Sequence, residues 1–294
     1  MDIEMIADYR CEIGEGPLWH PLERQLYWVD IPAGRLFRYD PSTNHHEQIW
    51  QGEPIGGFTV QADGTLLLFG RNGSVRIWKQ GRIETLVEEI PAERGGRFND
   101  VIADPEGRVF CGTMPVSATA ESPGHLGRLY RLDLDGTLTQ LLDGVDVSNG
   151  LGFTPDRTGL YHTDSGHRCV CLFDYDQATG GISNRRIFTM VPEHNGVPDG
   201  LTVDAEGYVW SARWDGGCLV RYAPDGSEER RITFPMAKQV SSVTFGGKEH
   251  QDMYVTTAGG NNRHKNGSGA GALFRLYPGV RGTPEFLSRI GLSC

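Results

Sequence analysis

One short pattern recurs six times along the chain: "EGPLW" (15–19), "GGFTV" (56–60), "NDVIA" (99–103), "NGLGF" (149–153), "DGLTV" (199–203) and "SSVTF" (241–245). Each copy opens on a small or polar residue and closes on an apolar one, and the first positions are 41, 43, 50, 50 and 42 residues apart. A repeat of this length is one supersecondary unit that buries its apolar faces by packing on further copies of itself.

The residues after each copy repeat as well. Turns containing Gly or Pro-Asp come next, as in "QADG" (61–64), "DPEG" (104–107), "TPDR" (154–157) and "DAEG" (204–207). Second strands then read "LYWVD" (26–30), "LLLFG" (66–70) or "LYHTD" (160–164), and third strands alternate, as in "RLFRYD" (35–40) and "CLVRY" (218–222). Polar fourth strands such as "RIETLV" (82–87) complete the unit. Four antiparallel strands taken six times predict an all-β chain, a single six-bladed β-propeller domain over 1–294 with its blades around a central channel. The segment "DIEMIA" (2–7) precedes the first unit and is expected to close the ring as the outer strand of the last blade, a place for which "PEFLS" (284–288) competes.

Composition agrees with many short strands joined by turns: glycine is abundant at 40 of 294 residues, and no long stretch has helical periodicity. A net charge of -10 without a basic face argues against a nucleic-acid partner. No apolar run approaches the roughly 18 residues of a membrane span, and "MDIEMIADYR" has no basic or hydrophobic leader, so no membrane partner and a cytoplasmic location are expected. The sequence accommodates a monomer or a dimer. The six cysteines contain no C-x-x-C and are read as reduced thiols rather than as disulfides or zinc ligands.

In a propeller the starts of the innermost strands ring one mouth of the channel. Here that ring reads Glu15, Gly56, Asn99, Asn149, Asp199 and Ser241. Five of the six can coordinate or hydrogen-bond, and the glycine is read as leaving room. An isolated Pro-Asp-Gly is an ordinary turn, but Glu15, Asn149 and Asp199 converge on the axis as oxygen ligands carrying two negative charges. Two carboxylates in one constricted site repel unless a cation lies between them. All-oxygen ligation suits Ca²⁺, Mg²⁺ or Mn²⁺, and three protein ligands leave positions for water and substrate.

Arg97 would overhang the same mouth and donate to a substrate oxygen. His162 and Asp164 are read as hydrogen-bonded blade residues, and Asp104 and Asp204 as structural turn residues. Trp19, Trp28 and Trp210 are assigned to blade packing, while Trp214, near a loop, suits either packing or a binding platform.

The segments "GEGPLW" (14–19), "GGRFNDV" (95–101), "DPEGRVFCGTM" (104–114), "VSNGLGF" (147–153), "DYDQATGGISNRR" (174–186), "PDGLTVDAEG" (198–207) and "FGGKEHQDMYVTTA" (245–258) resemble the SMP-30/gluconolactonase/regucalcin family from about residue 10 to 280. The resemblance implies a six-bladed propeller with one divalent cation (Ca, Mg, Mn, Zn or Fe) in the channel, hydrolysing aldonic sugar lactones. It places the metal on Glu15, Asn149 and Asp199, with Asp199 also as general base or acid, and assigns substrate and water to Arg97 and Asn99. Similar animal proteins carry an acidic pair after "GTM" where this chain has Val116 and Ser117, so Glu121 is the candidate substrate contact from that loop. Two other readings use the same ring: a phosphotriesterase-like hydrolase, and a calcium-binding regulatory propeller without turnover.

Overall fold

The computed structural model describes residues 2–116 and 126–292. Within them the chain forms six four-stranded antiparallel sheets, one per repeat. Blade 1 comprises Gly14–His20, Gln25–Asp30, Arg35–Asp40 and His45–Gln51, in order from the axis outward. Blade 2 comprises Ile55–Val60, Leu66–Gly70, Val75–Lys79 and Arg82–Val87. Blade 3 comprises Gly96–Ala103, Val109–Pro115, Gly127–Leu132 and Leu138–Val145. Blade 4 comprises Ser148–Phe153, Gly159–Asp164, Cys169–Asp176 and Gly181–Met190. Blade 5 comprises Val197–Val203, Val209–Trp214, Cys218–Tyr222 and Glu228–Thr233. Blade 6 takes Val240–Gly246, Asp252–Thr257 and Leu273–Leu276 from the end of the chain and Ile3–Ala7 from its beginning.

Burial is largely lost at the outermost strand of each blade. The inner strands of blades 2 and 4 are buried at every position, because both faces meet neighbouring blades, and so they lack the polar alternation of a half-exposed strand. The outer strand His45–Gln51, by contrast, has no fully buried position. The apolar core is accordingly divided among the blade interfaces: Trp210, Phe245, Val255 and Phe274 pack between blades 5 and 6, and Tyr27, Phe58 and Leu68 between blades 1 and 2. Trp19 and Trp28 pack in a third layer.

The turn aspartates are structural. Asp104 meets Arg108 at 2.6 Å, and Asp204 meets Arg221 at 2.7 Å and accepts from Trp210 Nε1 at 2.9 Å. Each pins its turn to the outer part of the blade or to its neighbour.

Ile3–Ala7 pairs with Leu273–Leu276 through Ile3↔Leu276 and Met5↔Phe274, so the N-terminal segment closes the ring. The segment 284–288 has a different task. The last stretch of chain crosses the face of the propeller where the inner strands end, with Gly282 N donating to His250 O at 2.9 Å and Ser288 N to Val60 O at 2.9 Å. Arg289 N donates to Gly107 O, also at 2.9 Å. This strap ties blades 2, 3 and 6 together. Among the described residues no helix is long and apolar enough to cross a membrane.

Candidate metal centre and substrate cavity

Side chains of a regular inner strand point at the faces of adjacent blades, so turning one toward the axis requires a break in the strand. Each inner strand has one at the ring. Register with the second strand slips between Glu15 and Leu18, Ile55 and Gly57, Phe98 and Val101, Asn149 and Leu151, Pro198 and Leu201, and Val240 and Ser242. Such bulges re-aim side chains, and here they face one mouth of the channel.

Glu15, Asn99, Asn149 and Asp199, each at most 6% exposed, line one cavity of about 310 Å³ together with Arg97. The other two ring positions differ from the expectation. A Cβ on Gly56 would lie 1.8 Å from Phe98 O, so this glycine admits the adjoining strand and leaves no free space. Ser241 Oγ donates to Gly14 O at 2.6 Å, joining blade 6 to blade 1, and does not line the cavity.

Asn149 carries the clearest sign of a missing partner. Its Nδ2 donates to Ser165 Oγ at 3.0 Å, and Ser165 Oγ spends its own hydrogen on Pro198 O at 2.7 Å. That pair of bonds fixes the amide orientation and leaves Asn149 Oδ1 buried with no hydrogen-bond partner. Burial, aided by the Asp199 and Asp100 charges, pushes the Glu15 carboxyl well above its ordinary value. Burial and Asp100 do the same to Asp199, against donation from Asn149 and the positive charge of Arg97. Two carboxylates disfavoured as bare anions beside an orphaned amide oxygen fit a hard cation. Among the described residues no three His, Cys, Asp or Glu gather as a metal cluster.

Arg97 Nη1 donates to Asn99 Oδ1 at 2.5 Å and to Phe98 O at 2.9 Å, and Asn99 Nδ2 donates to Ser148 O at 2.9 Å. Asn99 therefore orients the guanidinium and links blades 3 and 4, with one N–H and one lone pair to spare. Burial lowers Arg97 to about 10, opposed by Glu15, Asp100 and Asp199, so it stays cationic at neutral pH.

The remaining wall is apolar, including Ile31, Val197, Pro198 and Trp214. Trp214 thus belongs to the cavity, unlike Trp19, Trp28 and Trp210. Trp214 is the one member of this wall that the sequence singles out; Ser165, Ile31 and the start of the strand Val197–Val203 carry no such signal, because they come together only when blades 1, 4 and 5 meet at the mouth. Asp100 has a faint one: it occupies the position after the ring residue where four copies have glycine, and burial raises it to about 6. It lines a smaller chamber of about 60 Å³ further down the channel, closed by Glu285 and Phe286 of the strap. His162 bonds Ser148 Oγ at 2.8 Å, and Asp164 meets His167 Nδ1 at 2.8 Å, so both are blade residues. Glu121 and Ser117 lie outside the described residues, and Val116 is exposed.

The family model described as "SMP-30/Gluconolactonase/LRE-like region" matches residues 13–259. Pentonolactonase XacC of Haloferax volcanii is 48% identical over 99% of this chain and 100% of its own. Human regucalcin is 36% identical over 87% of this chain and 86% of its own. A gluconolactonase from Xanthomonas campestris superimposes with a TM-score of 0.77 at 25% identity, covering 94% of this chain and 89% of the other.

Proposed function

The chain belongs to the SMP-30/gluconolactonase/LRE-like family, and on that premise we propose that it is a hydrolase that opens aldonic sugar lactones at the channel mouth. The observation that carries this reading is the orphaned Oδ1 of Asn149 beside Glu15 and Asp199, in a cavity that also presents Arg97. The pentonolactonase and gluconolactonase names of the relatives support the substrate class.

Glu15, Asn149 and Asp199 would hold one divalent cation. When bound, it supplies electrostatic stabilisation for negative charge developing on the carbonyl oxygen. Oxygen-only donors favour Ca²⁺, Mg²⁺ or Mn²⁺ over Zn²⁺ or Fe²⁺.

The protein's own groups account for the rest. Arg97, held by Asn99, donates to substrate oxygens and sets the ring's orientation. The walls at Ile31, Val197 and Trp214 pack on the less polar faces of the sugar and limit stray water. Asp199 accepts the proton of the attacking water and returns it to the ring oxygen as the carbonyl carbon–oxygen bond breaks, giving the open aldonic acid. The carboxylate has two oxygens, so Asp199 would be able to help hold the cation and still take up the proton.

Asp199→Ala should lower turnover by about 10² to 10⁴-fold, measured as base consumption on adding a pentono- or hexonolactone, and should also weaken cation binding. An Asp199→Ala protein with full lactonase activity would overturn the assignment. An activated phosphotriester run in parallel should be hydrolysed much more slowly by the unmodified protein.

A further inference from the structure

Blade 4 holds a pair of thiols that the channel chemistry does not use. Cys169 and Cys171 are two residues apart in its third strand, which puts both on one face, and their sulfurs lie 3.8 Å apart. Arg185, exposed on the outer strand, donates Nε–H to Cys171 Sγ at 3.3 Å. Among the described cysteines this is the one pair in which a thiol and a guanidinium meet the same sulfur. The hydrogen bond from Cys169, and then Arg185, hold the Cys171 thiol below its ordinary value against burial, while Cys169 is pushed up.

Both thiols are buried, at 3% and 0% exposure, and buried thiols are ordinarily inert. The covering strand supplies the access. It pairs on one side only, and its register with the cysteine strand slips twice, between Val170 and Cys171 and between Leu172 and Asp174. An edge strand with exposed hydrogen bonds opens at lower cost than the blade it covers.

We propose that Cys169 and Cys171 form an oxidisable dithiol, a modification site that reacts with a two-electron oxidant of the peroxide class and closes to an intrachain disulfide. The Cys171 thiolate attacks one peroxide oxygen; the O–O bond breaks, and the departing hydroxide takes up the proton Cys171 had released. This leaves a sulfenic acid on Cys171 and one water. The Cys169 thiol then attacks that sulfur, the S–O bond breaks, the S–S bond forms and a second water leaves. Two thiols are oxidised and one peroxide is reduced. Residues i and i+2 of a strand lie about 6.6 to 6.8 Å apart, at the far end of what a disulfide spans, so thiol exchange should reopen the bond readily.

The test treats the native protein with hydrogen peroxide, alkylates it, and monitors the tryptic peptide 169–185 by mass spectrometry. The expected result is loss of two hydrogens from this peptide before Cys111 or Cys218 reacts, with dithiothreitol restoring them. Arg185→Gln, read on the peptide 169–186, should slow the reaction by about tenfold, because the Cys171 sulfur loses its guanidinium donor. Cys169→Ser should instead carry Cys171 on to sulfinic acid. A peptide that stays reduced, or that oxidises no faster than the one bearing Cys111 while circular dichroism shows an intact fold, would overturn the proposal. Lactone hydrolysis is not the readout, so this result stands apart from the channel assignment.

Discussion

Arg97 shows how much of the site depends on a single orientation. Its guanidinium is fixed by Asn99 Oδ1 and Phe98 O, and Asn99 is in turn fixed by Ser148 O. Arg97→Ala should therefore lower kcat/KM by about 10²-fold, as for loss of one oriented donor, with cation affinity little changed. Arg97→Lys keeps the charge but loses the planar fork and should recover only part of the activity. Steady-state kinetics with calorimetric cation titration checks both, and unchanged kinetics in Arg97→Ala would remove it from the site. Glu15, Asn99, Asn149 and Asp199 are legible in the sequence because the repeat period places them at equivalent points, and Arg97 is legible from its place two residues before Asn99. The roles of Gly56 and Ser241 are not, because they depend on how closely one inner strand approaches the next, which a single repeat does not record.

The element that makes the site is the bulged start of an inner strand. A repeat reveals where a strand begins but not where its register slips, so the positions are legible and the reason they face the axis is not. The residue after the bulged donor is tightly constrained. A Cβ on Gly150 would sit 2.4 Å from Leu201 N and 2.8 Å from Asp199 O, both backbone atoms of the adjacent inner strand. Gly150→Ala should cost about 1 to 3 kcal/mol by overpacking and displace Asp199. Urea denaturation should show the loss, and a cation titration of the folded variant should show weakened binding. A variant as stable as the parent, with intact binding, would mean that the inner strands can separate without consequence.

At the scale of the whole molecule, the ring is closed twice, by Ile3–Ala7 in blade 6 and by the strap over the far end of the channel. The N-terminal closure is legible, since that strand has no other partner. The strap is not, because it forms no blade strand and its partners lie in blades distant in sequence. Glu285 in the strap is raised to about 7 by burial, with Asp100 and Arg157 lining the adjoining spaces. A carboxyl held protonated in the fold stabilises fully below its unfolded value near 4.5, and that contribution is lost as pH rises toward 7. Glu285→Gln should thus gain Tm over the parent as pH increases from about 4.5 to 8. Parallel Tm curves across that range would show that Glu285 ionises as freely in the fold as outside it.

Under the proposed function, one divalent cation on Glu15, Asn149 and Asp199 would make this propeller a sugar lactonase. The most direct measurement is base consumption on adding an aldonic lactone before chelation, after removal of divalent ions, and after their return one at a time. Hydrolysis should fall to the uncatalysed rate on chelation and recover with a divalent cation in the parent protein, but not in Asn149→Ala. An undiminished rate in excess chelator, or no rate above background with any cation, would contradict it.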